Sequence, residues 1–221
     1  MCRFLMVKSP SPFPIGEILE RFAEMAEKSR APDGDRQADG WGAGWLDKRG
    51  NWQIRKSIRP VWEEIGASSG IPQSRIFLIH ARSASFPGHK EVVAYNQPFV
   101  SDAFAFVFNG FLRGVSFPFP VKGDIGAQKI WTLLSGLMET VDPETGLARL
   151  TELLNRNTRR IQALNIGICD KNHLFASCRY VGDEPYYQLY YHNAPALSMI
   201  CSEPLMGFPF SPLPRQRVFK L

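Results

Sequence analysis

The residue with the most informative chemistry is Cys2, which directly follows Met1. A cysteine side chain is small, and an initiator methionine before a small residue is the kind that aminopeptidases remove. Removal would leave a thiol and a free α-amine on one residue, and an α-amine titrates at about 7.7–8.0. Cys2 could then supply both a nucleophile and its base, as an N-terminal threonine does. The alternative is a small buried hydrophobe at the start of a strand.

Three other short segments carry groups that could form a site. The sequence DGWGAGW at 39–45 brings glycines into a strand entry, where they allow either a bend or the close approach of a backbone or ligand. Arg82 leaves an apolar strand, where its guanidinium could bind a carboxylate bidentately or form a surface salt bridge. Asn109 and Gly110 end another apolar strand and could donate to an oxyanion, or could form a common Asn-Gly turn.

The hydrophobic pattern predicts the elements that must position these residues. Expected strands cover 3–7, 41–46, 52–58, 75–80, 103–108, 164–169, 173–178, 186–191 and 197–201. Expected helices cover 17–29 and 126–140, and a third begins with Asp142 as N-cap and Pro143 at the first position. Helices and strands in separate runs favour an α+β fold with antiparallel sheets. Without an internal repeat or a low-complexity linker, the sequence predicts one domain over 1–221.

Composition narrows the classes of function. Hydrophobic residues make up 44% of the chain, enough for a substantial core, and the formal net charge is +5. The basic residues are scattered, and their densest run, between 48 and 59, is typical of a solvated hairpin face; a nucleic-acid-binding module is therefore the least favoured alternative. No secretory signal or membrane-spanning run is visible. Cys169, Cys178 and Cys201 lack metal-binding spacing, so we expect reduced cysteines in a cytoplasmic protein with no metal.

The order of the motifs is more specific than any one of them. The segments CRFL at 2–5, DGWGAGW, HARSAS at 80–85, NQPF at 96–99 and FVFNGFL at 106–112 occur in one order over the first half of the chain. Together they resemble the class II glutamine amidotransferase family of N-terminal-nucleophile (Ntn) hydrolases, and are most similar to its small stand-alone branch. The segments ALN at 163–165, ASCRY at 176–180 and SEPL at 202–205 extend the resemblance. The family's fold is a four-layer αββα sandwich with two antiparallel sheets.

The resemblance implies a role for each site residue. Cys2 would attack the side-chain amide of glutamine or a γ-glutamyl compound, with its own α-amine as base. Asn109 and Gly110 would stabilise the oxyanion, and Arg82 would bind the substrate α-carboxylate. His80 would support the site, or else is a satisfied core histidine. A thioester would form and water would release glutamate without a cofactor or metal. An ammonia-accepting synthase, if there is one, would be a separate protein.

Two departures from the family pattern concern the substrate. Gly126 lies where the family has an aspartate for the substrate's α-ammonium. Asp124 could compensate by a shifted register, or could only cap a helix. Gln97 precedes Pro-Phe where the branch usually has histidine. The alternative function is therefore a catalytically altered or inactive Ntn-fold protein with a binding or regulatory role. The sequence predicts no oligomeric state.

Overall fold

Two antiparallel sheets face each other across a shared apolar interior, and helices cover both outer faces. The computed structural model describes residues 1–65, 70–182 and 184–221. The strands are β1 (Arg3–Phe13), β2 (Trp41–Leu46), β3 (Trp52–Ser57), β4 (Ser74–Ala81), β5 (Phe99–Val100), β6 (Ala105–Val115), β7 (Thr158–Cys169), β8 (Leu174–Tyr180), β9 (Tyr190–Ala194), β10 (Leu197–Cys201), β11 (Ser211–Pro212) and β12 (Val218–Lys220). The helices are α1 (Gly16–Glu27), α2 (Val61–Glu64), α3 (Gly126–Met138), α4 (Pro143–Arg156) and α5 (Glu184–Tyr187).

The strand order places β1 near the middle of the larger sheet. That sheet has seven strands in the order β11-β9-β10-β1-β4-β2-β3, and the smaller sheet has five in the order β12-β8-β7-β6-β5. Every pairing described within them is antiparallel. Side chains alternate between the two faces of a strand. Phe4 and Met6 of β1 accordingly enter the cluster between the sheets, whereas Leu5 and Val7 face α1.

Three apolar clusters separate four layers. One lies between the sheets, one between α1 and the outer face of the larger sheet, and one between the pair α3–α4 and the outer face of the smaller sheet. The predicted α+β fold and its αββα layering are confirmed. The single-domain boundary at 1–221 stays a prediction. In the described part of the chain, no helix is both long and apolar enough to cross a membrane.

Four predicted strands are wrong at one end. Two of them are longer than expected, since β1 ends at Phe13 and not at position 7, and β7 begins at Thr158 and not at position 164. The strand expected to end at Phe108 continues to Val115, so Asn109 and Gly110 pair with β7 inside a strand and form no turn. Pairing with a strand distant in sequence outweighs the local turn tendency of Asn-Gly. Residues 186–191 begin as the end of helix α5, and β9 starts only at Tyr190. Adjacent Tyr186 and Tyr187 are both buried, which a strand exposed on one face does not allow.

Candidate active site

The candidate site forms where the first residues of β1 lie beside the last residues of β4. Phe4 pairs with His80 in the antiparallel register, so Cys2 and Arg82 lie side by side beyond the strand ends. The Cys2 Sγ is 3.5 Å from the main-chain oxygen of Ser83. The structure therefore brings Cys2, Arg82 and His80, which the sequence singled out separately, to one end of the larger sheet.

The Cys2 thiol is free and only partly exposed. Burial raises its pKa, and the positive charges of the N-terminal ammonium and of Arg82 offset only part of that effect. The thiolate, not the thiol, is the nucleophilic form of cysteine. Cys2 therefore needs a base before it can attack a carbonyl.

Arg82 is a nearly buried cation that lacks a carboxylate partner within the described ranges. It is 5% exposed, and its Nη1 lies 3.4 Å from two oxygens, the main-chain oxygen of Lys90 and Oδ1 of Asn96. The guanidinium also lies over the Tyr95 ring, 5.7 Å from its centroid. The alternative of a surface salt bridge is wrong for Arg82, since no described carboxylate pairs with it. A guanidinium without a carboxylate partner can donate hydrogen bonds to the carboxylate of a substrate.

Asn109 has a buried amide without a partner. The residue is 1% exposed, and neither its side-chain oxygen nor its nitrogen bonds to any described atom. Leaving such a group unsatisfied costs about 1–3 kcal/mol, so buried polar groups are nearly always hydrogen-bonded. Alternation along β6 places Asn109 on the same face as Ala105 and Val107, which is the face toward the larger sheet. Action of Asn109 and Cys2 on one carbonyl stays a prediction.

Gly110 is required for the packing of β6 next to Asn109. A β-carbon at this position would lie 2.4 Å from the main-chain oxygen of Ala163, well inside van der Waals contact. A larger residue would therefore push β6 away from β7. The absence of a side chain keeps the main chain beside Asn109 in place.

His80 is fully buried, and neither ring nitrogen makes a hydrogen bond to a described atom. Burial lowers its pKa to about 3, and the nearby charges of Arg82 and Lys56 add to the effect, while the adjacent Phe108 main chain opposes it. The imidazole is therefore neutral near neutral pH. Because the Phe108 main chain lies within hydrogen-bonding reach of the imidazole, the supporting role and the alternative of a satisfied core histidine both stay predictions.

Gln97 connects the glycine-rich strand β2 to β6. Its amide accepts a hydrogen bond from the Phe108 N–H at 2.6 Å and donates to the Phe108 carbonyl at 3.2 Å. Its own main-chain oxygen lies 2.2 Å from where a β-carbon on Gly42 would be. The close approach of another backbone thus explains Gly42, whereas Gly40 has a φ of 108° and Gly44 faces the Pro98 side chain. Gln97, noted in the sequence only as a departure, holds the main chain beside Asn109.

A polar cluster that no sequence pattern indicates surrounds the N-terminus and is formed by Asp35, Ser83 and Tyr186. The Met1 ammonium donates to the Asp35 carboxylate and to the Tyr186 hydroxyl, the latter at 3.1 Å. The Ser83 hydroxyl donates to the same carboxylate at 2.6 Å. Asp35 lies in the irregular segment between α1 and β2, where no periodic pattern marks a residue. Its only signal is a charge within a polar loop.

A second missed interaction fixes the main chain at the nucleophile. Arg3 is fully buried, and its Nε donates to Glu203 at 2.8 Å. Its Nη1 lies 3.4 Å from the main-chain oxygen of Cys2. Arg3 and Glu203 belong to the CRFL and SEPL segments quoted above, but their pairing across the length of the chain is visible only in the fold.

The structure does not bring Asp124 to Cys2 or Arg82. Asp124 is exposed just before α3, and its carboxylate makes no hydrogen bond or ion pair to the residues that the structure describes. Gly126 is exposed too, with open space where a side chain would project. Compensation by Asp124 stays a prediction. Across 1–65, 70–182 and 184–221, no group of three or more His, Cys, Asp or Glu side chains could hold a metal ion.

Comparisons with known proteins identify the fold. No family model and no curated protein matches the chain. A glutamine aminotransferase class-II domain protein from Silicibacter pomeroyi matches with a TM-score of 0.65 at 21% identity, over 99% of this chain and 94% of that one. A predicted glutamine amidotransferase from Pseudomonas aeruginosa matches with a TM-score of 0.60 at 15% identity, over 99% and 96%.

A larger enzyme shares the fold over part of its length. Glutamine phosphoribosylpyrophosphate amidotransferase from B. subtilis matches with a TM-score of 0.69 at 11% identity, over 99% of this chain and 47% of that one. The chain therefore has the fold of the Ntn-type class II glutamine amidotransferases, and the resemblance carried by its motifs is confirmed at the level of the fold.

Proposed function

We propose that this protein is an amidohydrolase of the class II glutamine amidotransferase type. It would cleave the side-chain amide of glutamine or a γ-glutamyl compound, with Cys2 as the nucleophile. The observation that carries the proposal is the position of the Cys2 thiol beside Arg82, a nearly buried guanidinium that lacks a carboxylate partner in the described chain. Such a pair suits a substrate with a reactive amide at one end and a carboxylate at the other.

The proposed reaction begins once Met1 is removed. The free α-amine of Cys2 takes the thiol proton, and the thiolate attacks the amide carbon. The carbon–nitrogen bond then breaks, and ammonia or an amine leaves with the proton from the α-amine. A thioester remains on Cys2. Water attacks the thioester with the α-amine as base, so that the free acid leaves and the thiol is restored.

Asn109 and Arg82 would bind opposite ends of the substrate. The unpaired amide of Asn109 gains a partner if the oxyanion forms against it, and one such donor contributes about 10²–10³ to kcat. Gly110 would supply the second donor from its main-chain N–H. Arg82 would bind the α-carboxylate and so orient the amide toward Cys2. Ammonia could pass to a separate synthase or be released.

The test begins with the nucleophile. Mass spectrometry confirms that Cys2 is the N-terminal residue, and ammonia and glutamate release are then measured with glutamine. Cys2→Ala should abolish release, and Cys2→Ser should retain little, because a hydroxyl is a far poorer nucleophile than a partly ionised thiol. Cys169→Ala, which removes a fully buried thiol elsewhere, is the matched control and should remain active.

The state of the N-terminus provides a second test. A protein that keeps Met1 through an uncleaved N-terminal extension should lose activity as completely as Cys2→Ala, because the base becomes an amide nitrogen. Full activity in a protein shown to retain Met1 would refute the N-terminal-amine mechanism.

The open position at Gly126 supports the alternative of an inactive binding or regulatory protein. No acidic side chain occupies the place where the family has its substrate-ammonium aspartate. Wild-type protein with a free Cys2 amine that binds glutamine but releases no ammonia would favour this alternative.

A further inference from the structure

We propose that Asp35, Ser83 and Tyr186 form the binding site for the substrate's α-ammonium, in place of the aspartate that is missing at Gly126. This inference rests on the proposed function and assigns its substrate class: a glutamine or γ-glutamyl compound that keeps a free α-amino group.

The Met1 ammonium shows what this cluster can hold. A primary ammonium donates to the Asp35 carboxylate and to the Tyr186 hydroxyl, so the position fits the same chemical group that an amino acid carries at its α-carbon. In the protein with Met1 attached, that ammonium stands in for the substrate's. The site is partly enclosed, since the Met1 and Asp35 side chains are 18% and 30% exposed.

The carboxylate of Asp35 is fixed and charged before any substrate arrives. Ser83 holds one of its oxygens by a hydrogen bond of 2.6 Å. Partial burial alone would raise the pKa of Asp35, but the hydrogen bonds from the N-terminal ammonium and from Ser83 outweigh it, and the pKa lies below its ordinary value. The contribution of the ammonium is lost when Met1 is removed, but the Ser83 hydrogen bond and the charge of Arg3 remain, and both favour the ionised carboxylate.

The cluster has the right position relative to the other substrate contacts. Ser83 directly follows Arg82, the proposed ligand of the α-carboxylate, and its main-chain oxygen lies 3.5 Å from the Cys2 thiol. The cation of Arg82 and the anion held by Ser83 thus both lie close enough to act on the Cys2 thiol. The carboxylate and ammonium of one amino-acid head group present the complementary pair of charges.

Removal of Met1 vacates the site. One residue spans at most about 3.3–3.6 Å, so the Cys2 amine starts about one residue's length from the position that the Met1 ammonium occupied. The Met1 side chain also packs against the apolar cluster between the sheets. Its loss therefore frees the base on Cys2 and, in the same step, opens the ammonium position beside Asp35.

The test compares L-glutamine with glutaramate, which has the same amide and carboxylate but no α-amine. Both release ammonia, so one assay serves for both. Asp35→Asn should lower kcat/KM for glutamine by at least about tenfold, mainly through KM, and should change it for glutaramate by less than about twofold. The preference of the wild type for glutamine over glutaramate should therefore disappear in Asp35→Asn. Ser83→Ala should reduce this preference by a smaller factor. Asp102→Asn, which changes an exposed aspartate outside the cluster, is the matched control.

Other outcomes overturn the inference. An equal loss on both substrates would mean that Asp35 acts on the Cys2 amine or on folding. A preference removed by Asp124→Asn but retained in Asp35→Asn would assign the ammonium to Asp124. A wild type without any preference for glutamine would exclude an ammonium site altogether.

Binding measurements separate this inference from the proposed function. Calorimetry with the Cys2→Ala protein, shown to lack Met1, measures the affinity for each compound without turnover. If glutamine binds more tightly than glutaramate and the difference depends on Asp35, the ammonium site is supported whether or not the wild type turns glutamine over. A wild type that binds glutamine in this way but releases no ammonia would refute the proposed function and leave the ammonium site standing. Equal binding of both compounds would refute the ammonium site alone.

Discussion

The buried ion pair between Arg3 and Glu203 offers a direct test of how the nucleophile is held. Arg3 is fully buried and Glu203 is 4% exposed, and their atoms Nε and Oε1 lie 2.8 Å apart. Arg3 also reaches the Cys2 carbonyl, at 3.4 Å, and its guanidinium carbon lies 3.9 Å from the centroid of the Tyr186 ring. The substitution Glu203→Gln keeps the shape of the side chain and removes its charge.

The expected cost follows from the burial of the remaining cation. Arginine is not deprotonated in proteins, so Arg3 stays charged inside the fold. Removing one partner of a buried pair costs about 3–5 kcal/mol. For a chain of this length each kcal/mol lowers Tm by about 2–4 °C, so Glu203→Gln should lower Tm by roughly 6–20 °C.

The assay is thermal unfolding followed by circular dichroism at constant pH, with an exposed ion pair as control. Glu152 pairs with Arg156 one helical turn away on the surface of α4, and both side chains are more than half exposed. Glu152→Gln should therefore cost less than about 0.5 kcal/mol. The double variant with Arg3→Met and Glu203→Leu should recover most of the lost stability, because neither charge of this pair remains in the interior. A Tm of Glu203→Gln within about 2 °C of wild type would refute the reasoning.

Two further predictions concern buried polar groups at the site. His80 is neutral in the fold with a pKa of about 3 against an ordinary 6.5, so its contribution to stability is complete above pH 6.5 and is lost progressively as pH falls toward 3. The loss is about 1.4 kcal/mol per pH unit once pH is well below 6.5, and His80→Gln should remove this slope from urea unfolding measured between pH 7 and 5; an unchanged slope would contradict a buried neutral imidazole. Asn109→Leu should raise the free energy of unfolding by about 1–3 kcal/mol, because it removes the unpaired amide, and should abolish ammonia release. A destabilised Asn109→Leu protein would show that the amide is paired in solution.

The sequence alone predicts the features that depend on contacts between residues close together in the chain. The apolar run at 3–7 and the apolar faces of α1 and α3 predict these elements closely, except that β1 continues to Phe13. Asp142 caps α4 as expected, accepting hydrogen bonds from two main-chain N–H groups at 3.0 and 3.1 Å. The chemistry of Cys2 also depends on one residue and its neighbour in the chain. Such features need only contacts within a few residues, which the sequence contains directly.

The site itself was decided by contacts between distant segments. Sheet pairing placed Asn109 inside a strand, which excludes the alternative of an Asn-Gly turn and leaves its amide buried and unpaired. Asp35 carries no pattern in the sequence, and its role follows from the chain folding back to place it at the N-terminus. Arg3 and Glu203 meet because β1 pairs with β10, after which the chain turns to bring Glu203 beside Arg3. Which polar groups become buried together depends on sheet register and on the facing of two sheets, and neither is encoded within a short window of sequence.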